Sequence, residues 1–163
     1  MIRKIILVLV SIWLGWTVLI DFAVVPAVFR VIKDFFNAGE LGINLFSILN
    51  SFELIVSSFL FGLIVFEFYN KRTSKLQLLL GALASLIIWI YVSYLTPKLI
   101  ELTRLWQQAD TTNQIGIQGI QDIQQEHQYF HRLYVTLDSV KLGLILGLLG
   151  ISLFSKEKFF EKA

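Results

Sequence analysis

A chain of 163 residues that is 56% hydrophobic and 16% charged, with a mean hydropathy of +0.70, suits a bilayer better than water, because an average soluble domain is about 25% charged. The net charge of +2 is too small to argue for a nucleic-acid partner, and the lack of cysteine removes disulfides, thiolate metal sites and cysteine nucleophiles together. A crossing needs ~20 apolar residues, so four fit, and the class expected is an all-α membrane protein, a four-transmembrane-helix bundle in one domain over residues 1–163.

The first apolar run, about residues 5–29, follows Arg3 and Lys4 and is broken only by Asp21 and Pro26. A cleavable signal has an apolar region of only ~7–15 residues, so this run reads as a retained first helix. The second, about 41–66, carries Asn50 and Glu53 near its middle. The third, about 76–96, is free of charge, and Pro97 marks its end or a kink. The fourth, about 129–154, contains Asp138 and Lys141 and has a glycine-rich inner half.

The connections are of two kinds. Residues 67–75 are short and basic, whereas residues 97–127 are long and glutamine-rich. The long one reads as extensions of helices 3 and 4 beyond the bilayer around a turn near Asp110 to Asn113, because Ile120 and Ile123 continue the apolar face of the fourth helix; a disordered linker is the alternative. The terminal KEKFFEKA reads as an amphipathic tail on the inner headgroups.

Eight basic residues (Arg3, Lys4, Lys71, Arg72, Lys75, Lys156, Lys158, Lys162) fall on one side and four (Arg30, Lys33, Lys98, Arg104) on the other, so the positive-inside rule puts both termini in the cytoplasm. At ~1.5 Å per residue from the outer helix ends, Asp21 lies ~12 Å deep, Asp138 ~14 Å, and Glu53 and Lys141 ~18 Å. Four charges on three helices thus reach similar levels.

Charges inside a span cost about 2.5 to 3.5 kcal/mol each on the insertion scale, so they face the bundle interior and pair or function there. One reading is structural: Asp138 and Lys141 neutralise each other at i and i+3, while Glu53 and Asp21 are protonated or bonded to Asn50, Ser51 and tyrosine hydroxyls. The other is functional. His127, His131, Tyr134, Asp138 and Lys141 are spaced 4, 3, 4 and 3 and form one stripe running inward. Asp21, Asn50, Glu53, Tyr134, Asp138 and Lys141 are its candidates for holding a cation, a proton or, at Lys141, an anionic headgroup. His127 and His131 have a metal-pair spacing, which admits a metal ion first and heme second, although surface histidines share that spacing. No residue is assigned to catalysis.

Packing explains other features. Gly143, Gly147 and Gly150 on the fourth helix, and Ser11 with Gly15 on the first, are small residues of the kind that let helices approach closely, within the bundle or between copies in a homo-oligomer. Trp13, Trp16 and Trp106 suit the membrane interface, and Trp89 the interior.

Trp13, Gly15, Phe22, Pro26 and Phe29, then Ala38-Gly39 and Phe46, then Tyr94 and Pro97, then Phe130-His131, resemble the four-helix membrane domain of unknown function typified by transmembrane protein 205. The first helix of that family ends in F-x-x-x-P-x-x-F, matched by Phe22, Pro26 and Phe29, whereas Asp138 and Lys141 have no secure counterpart. The layout is also similar to copper-resistance-D-like membrane proteins and to a heme-linked oxidase of porphyrin synthesis. Those resemblances imply a metal or heme on histidine, with no residue-by-residue match.

Overall fold

The computed structural model describes residues 2–33, 35–112 and 117–154. The described chain forms four long helical rods, Ile2–Val31, Asn37–Tyr69, Lys75–Ala109 and Gln118–Phe154, each long and apolar enough to cross a membrane. The terminal tail lies outside the described residues.

The first rod consists of α1 (Ile2–Leu19), a π-helical turn (Ile20–Val24) and α2 (Val25–Val31). The second is α3 (Phe35–Tyr69). The third repeats the first in form: α4 (Lys75–Ile90), a π-helical turn (Tyr91–Leu95) and α5 (Thr96–Thr112). The fourth is α6 (Ile117–Phe154).

Both π turns have a physical cause in proline. Pro26 and Pro97 lack an amide hydrogen, and in a regular α-helix their rings would strike the carbonyls of Phe22 and Ser93, four residues back. The wider turn relieves that clash, and the ladder resumes through Val25 N–H to Ile20 O and Thr96 N–H to Tyr91 O. Pro97 therefore does not end its helix, which runs on to Thr112. Residues 96–112, including Asp110 to Thr112 where the sequence suggested a turn, and those from Ile117 onward are helical rather than a disordered linker, and residues 113–116 lie outside the described residues.

The basic ends of the rods meet in one layer. Arg3 pairs with buried Glu67 at 3.8 Å and donates to the Arg72 carbonyl, while Gln77 Nε2 donates to Ser152 Oγ at 3.2 Å. This puts the start of α1 and the end of α6 at the same end of the bundle. Ser74 caps α4 by accepting from the Gln77 amide at 3.1 Å. At the other end, Lys98 reaches across to Glu126 at 3.3 Å and ties α5 to α6.

The core joins Ile6, Val10 and Trp13 of α1 to Val56, Leu60 and Ile64 of α3, Ala84, Ile87 and Ile88 of α4, and Ile145 and Leu148 of α6. Two tryptophans exchange the roles expected of them. Trp13 is 1% exposed, because it shares the inward face of α1 with Ile6, Val10 and Thr17, while Trp89 is 65% exposed on the outer surface. The glycines also differ from expectation. A Cβ on Gly15, Gly143 or Gly150 would meet nothing within 4 Å, whereas one on Gly81 would stand 3.0 Å from Ile64 Cδ1. Gly147 approaches a neighbour, with Leu80 Cδ1 at 3.2 Å, but the tightest approach is on α4.

Gly81→Leu should therefore overpack the α3–α4 contact and cost about 1–3 kcal/mol. Gly143→Leu should be close to neutral. Thermal unfolding of both variants in detergent checks the contrast, and equal losses would place the close contact elsewhere.

Candidate functional site

The site is built from the middle of the bundle outward. Glu53 of α3 and Lys141 of α6 have fully buried side chains, and Lys141 Nζ stands 3.0 Å from both Oε1 and Oε2 of Glu53. It also lies 2.6 Å from Asp138 Oδ1. An ammonium has three N–H donors, and these three contacts use them all. Glu53 Oε1 further accepts from Trp13 Nε1 at 2.9 Å and from Thr17 Oγ1 at 2.8 Å. With about four lone-pair positions on a carboxylate, Glu53 has little capacity left for anything else. The Lys141 ammonium sits 5.5 Å from the centre of the Tyr91 ring, so the third rod contributes as well.

One turn farther out, a second layer forms. Tyr134 donates to Asn50 Oδ1 at 3.0 Å, and Asn50 Nδ2 donates to Thr96 Oγ1 at 2.8 Å. Tyr91 OH donates to the Tyr134 carbonyl at 3.1 Å, and the two tyrosine rings stack with centroids 4.3 Å apart. Thr96 follows the π turn directly, so the Pro97 distortion helps to set the hydroxyl that Asn50 meets.

Asp21 lies in the first π turn and lines the same cavity as Asp138, near enough for the two carboxyl groups to act on each other. It has no ion-pair partner among the described residues. Three carboxyl groups thus gather around a single buried cation whose donors are already assigned to Glu53 and Asp138.

Asp21 and Asp138 also line the inner end of a cavity of about 700 Å³. Its walls come from the outer parts of all four rods, including Phe22, Phe29, Phe46, Leu99 and Trp106. Packing explains the space: α1 packs against α6, but beyond the π turn α2 packs principally on α3, leaving room beside α6. Lining residues Phe22 and Val135 are 67% and 50% exposed, so the cavity opens sideways between the first and fourth rods.

The six polar candidates therefore fall in two adjacent layers: Asp21, Glu53, Asp138 and Lys141 in one, Asn50 and Tyr134 in the other. Asn50 does not bond to Glu53, as the structural reading of the sequence had it; its amide bridges Tyr134 and Thr96. His127 and His131 stand apart at the outer end of the cavity, with near-parallel rings 6.3 Å between centroids and Trp106 5.8 Å from His127. Among the described residues, no group of three His, Cys, Asp or Glu gathers in a metal-binding arrangement. Sequence reasoning missed Trp13, Thr17, Tyr91 and Thr96. A helical-period signal was available for the first two, which lie at i and i+4 on the face of Ile6, Val10 and Ile20.

Four apolar rods around a buried charged centre define a multi-pass integral membrane protein. Residues 8–107 match the model of a domain of unknown function, DUF4149, and the chain belongs to that family. The matched stretch includes Asp21, Asn50 and Glu53 and stops short of α6. No curated protein and no solved structure matches the chain.

Lys141→Met should strand the Glu53 carboxylate and cost about 3–5 kcal/mol, as breaking a buried pair does. Adding Glu53→Gln should restore most of that loss, because the uncompensated charge goes with it. Unfolding of the single and double variants in detergent measures this; a double variant as unstable as the single would show that the pair is not coupled.

Proposed function

We propose that this protein handles a cation at the Asp21–Asp138 carboxyl pair, which holds a proton when the cation is absent. The observation that carries the reading is the surplus of acid. Glu53 and Lys141 satisfy each other, Asp138 takes the last ammonium donor, and Asp21 lies beside Asp138 without an ion-pair partner among the described residues. Two neighbouring carboxylates at low dielectric repel strongly, so a shared proton or a bound cation relieves the site. The same pair faces the cavity, so exchange between the two states has a route.

The charged layer itself divides between structure and function. Glu53, Lys141, Trp13 and Thr17 form a saturated strut with a structural role, which preserves the structural reading for half of the cluster. Asp21 and Asp138 form the exchangeable part. The histidine pair offers two ligands for a metal or heme and has less support, since no third ligand joins it among the described residues.

Residues 1–163 form one four-helix domain. Both termini face the cytoplasm, from the excess of basic residues at that end. The family is allied to the domain typified by transmembrane protein 205, with Phe22 of the shared pattern inside the first π turn, Pro26 and Phe29 just beyond it, and both phenylalanines on the cavity wall. Gly143 and Gly150, open on α6, are the surface on which copies would meet in a homo-oligomer.

Infrared spectroscopy of the protein in lipid nanodiscs tests the function. The wild type should show a protonated-carboxyl band that Asp21→Asn lacks, and sodium, potassium or tetraphenylphosphonium, added in turn, should diminish it in at least one case. A band indifferent to all three cations would remove the cation-handling reading.

A further inference from the structure

We propose that the cation is organic and amphiphilic: a singly charged head seated at Asp21 and Asp138, with an apolar body lying along the cavity. This rests on the cation-handling reading and names its ligand class.

The size and lining of the cavity carry the inference. A dehydrated inorganic ion needs a compact shell of oxygen ligands, whereas here the carboxyl pair opens into about 700 Å³ walled mainly by hydrophobic side chains. That volume falls within the range of ~300–1,000 Å³ typical of small-molecule sites, which are apolar with a few placed polar groups. Charge at one end and aromatic walls at Phe22, Phe46 and Trp106 suit an onium or ammonium head on a hydrophobic frame. The lateral opening beside exposed Phe22 and Val135 lets such a molecule enter from the bilayer, where amphiphiles concentrate.

A second observation points to the same space. Thr103 lines the cavity, is 7% exposed, and its Oγ1 has no hydrogen-bond partner among the described residues. A buried hydroxyl without a partner is destabilising, which a ligand occupying the cavity would offset. From Asp138 out one turn to Tyr134, and along α5 from Thr96 to Thr103, the separation is on the order of 15 Å along the bundle axis. The cavity therefore presents the carboxyl pair at one end and the Thr103 hydroxyl at the other.

The space is kept open by glycine at the start of α3. Gly39 and Gly42 both line the cavity; a Cβ on Gly39 would meet nothing within 4 Å and one on Gly42 only the Phe29 ring at 3.8 Å. Gly42→Leu would thus project a side chain into the cavity while leaving every carboxyl in place.

The probe is tetraphenylphosphonium, with tetraphenylborate as an anion of the same shape. Isothermal titration in detergent should show binding of the cation to the full-length wild-type protein and no binding of the anion. Asp21→Asn, Asp138→Asn and Gly42→Leu should each weaken it about tenfold or more, the equivalent of one lost ion pair or blocked contact surface. Gly42→Leu should retain the protonated-carboxyl band, which serves as its check of folding and leaves the proposal testable if the aspartate variants do not fold. Equal uptake of both ions, or cation binding indifferent to all three variants, would mean partition into the micelle and overturn the proposal. If sodium or potassium alters the carboxyl band and tetraphenylphosphonium does not, the organic ligand falls and cation handling stands; if no cation alters it, both fall.

Discussion

One buried ammonium organises this bundle. Lys141 is fully enclosed, and a charge so placed costs several kcal/mol unless paired and hydrogen-bonded in full. The structure meets that demand with contributions from every rod: Glu53 from the second, Asp138 from its own helix, Trp13 and Thr17 of the first acting on Glu53, and the Tyr91 face of the third. Because the lipid offers no alternative partners, this set of contacts fixes the rotation and height of each rod at the centre. In the membrane, polar contacts of this kind replace the hydrophobic drive that water would supply between helices.

The inner and outer halves of the bundle differ as a result. Toward the basic end the rods pack on an apolar core and close with the Arg3, Glu67, Gln77 and Ser152 layer. Toward the other end each of the two proline-containing rods passes through a π turn, with the proline two residues beyond it. π turns inside α-helices often occur at functional sites, because they rotate the following turns and present groups a regular helix would hide. Here the first carries Asp21 to Asp138 and the second precedes the Thr96 hydroxyl that Asn50 meets. The cavity lies between these two distortions, so the prolines shape both its floor and its width.

Much of this was legible in the sequence, and the division between what was and was not follows from geometry. Apolar runs and a 3.6-residue period gave the four rods and the helical extensions, because length and periodicity are properties of the chain itself. Counting residues placed Asp21, Glu53, Asp138 and Lys141 at similar heights, since rise per residue is nearly constant. The direction in which each side chain points around its helix is set by packing, so Glu53 could be given a depth but not a partner, and Trp13 and Trp89 were placed on the wrong sides. The π turns were hidden for another reason. A proline in an apolar run announces a local defect without saying whether the helix ends, bends or widens. Glycine likewise marks where close approach is allowed, and only the neighbouring rod decides that Gly81 uses it while Gly143 does not.

The division of the acids into a saturated pair and an exchangeable pair is tested most directly by dicyclohexylcarbodiimide, an apolar reagent that couples to protonated carboxyl groups within membranes. Mass spectrometry of the labelled protein should find modification at Asp21, reached through the lateral opening, and none at Glu53, whose oxygens are committed to Lys141, Trp13 and Thr17. Labelling at Glu53 with Asp21 untouched would contradict the arrangement, because it would mean that the buried ion pair is not formed and that the surplus proton resides elsewhere.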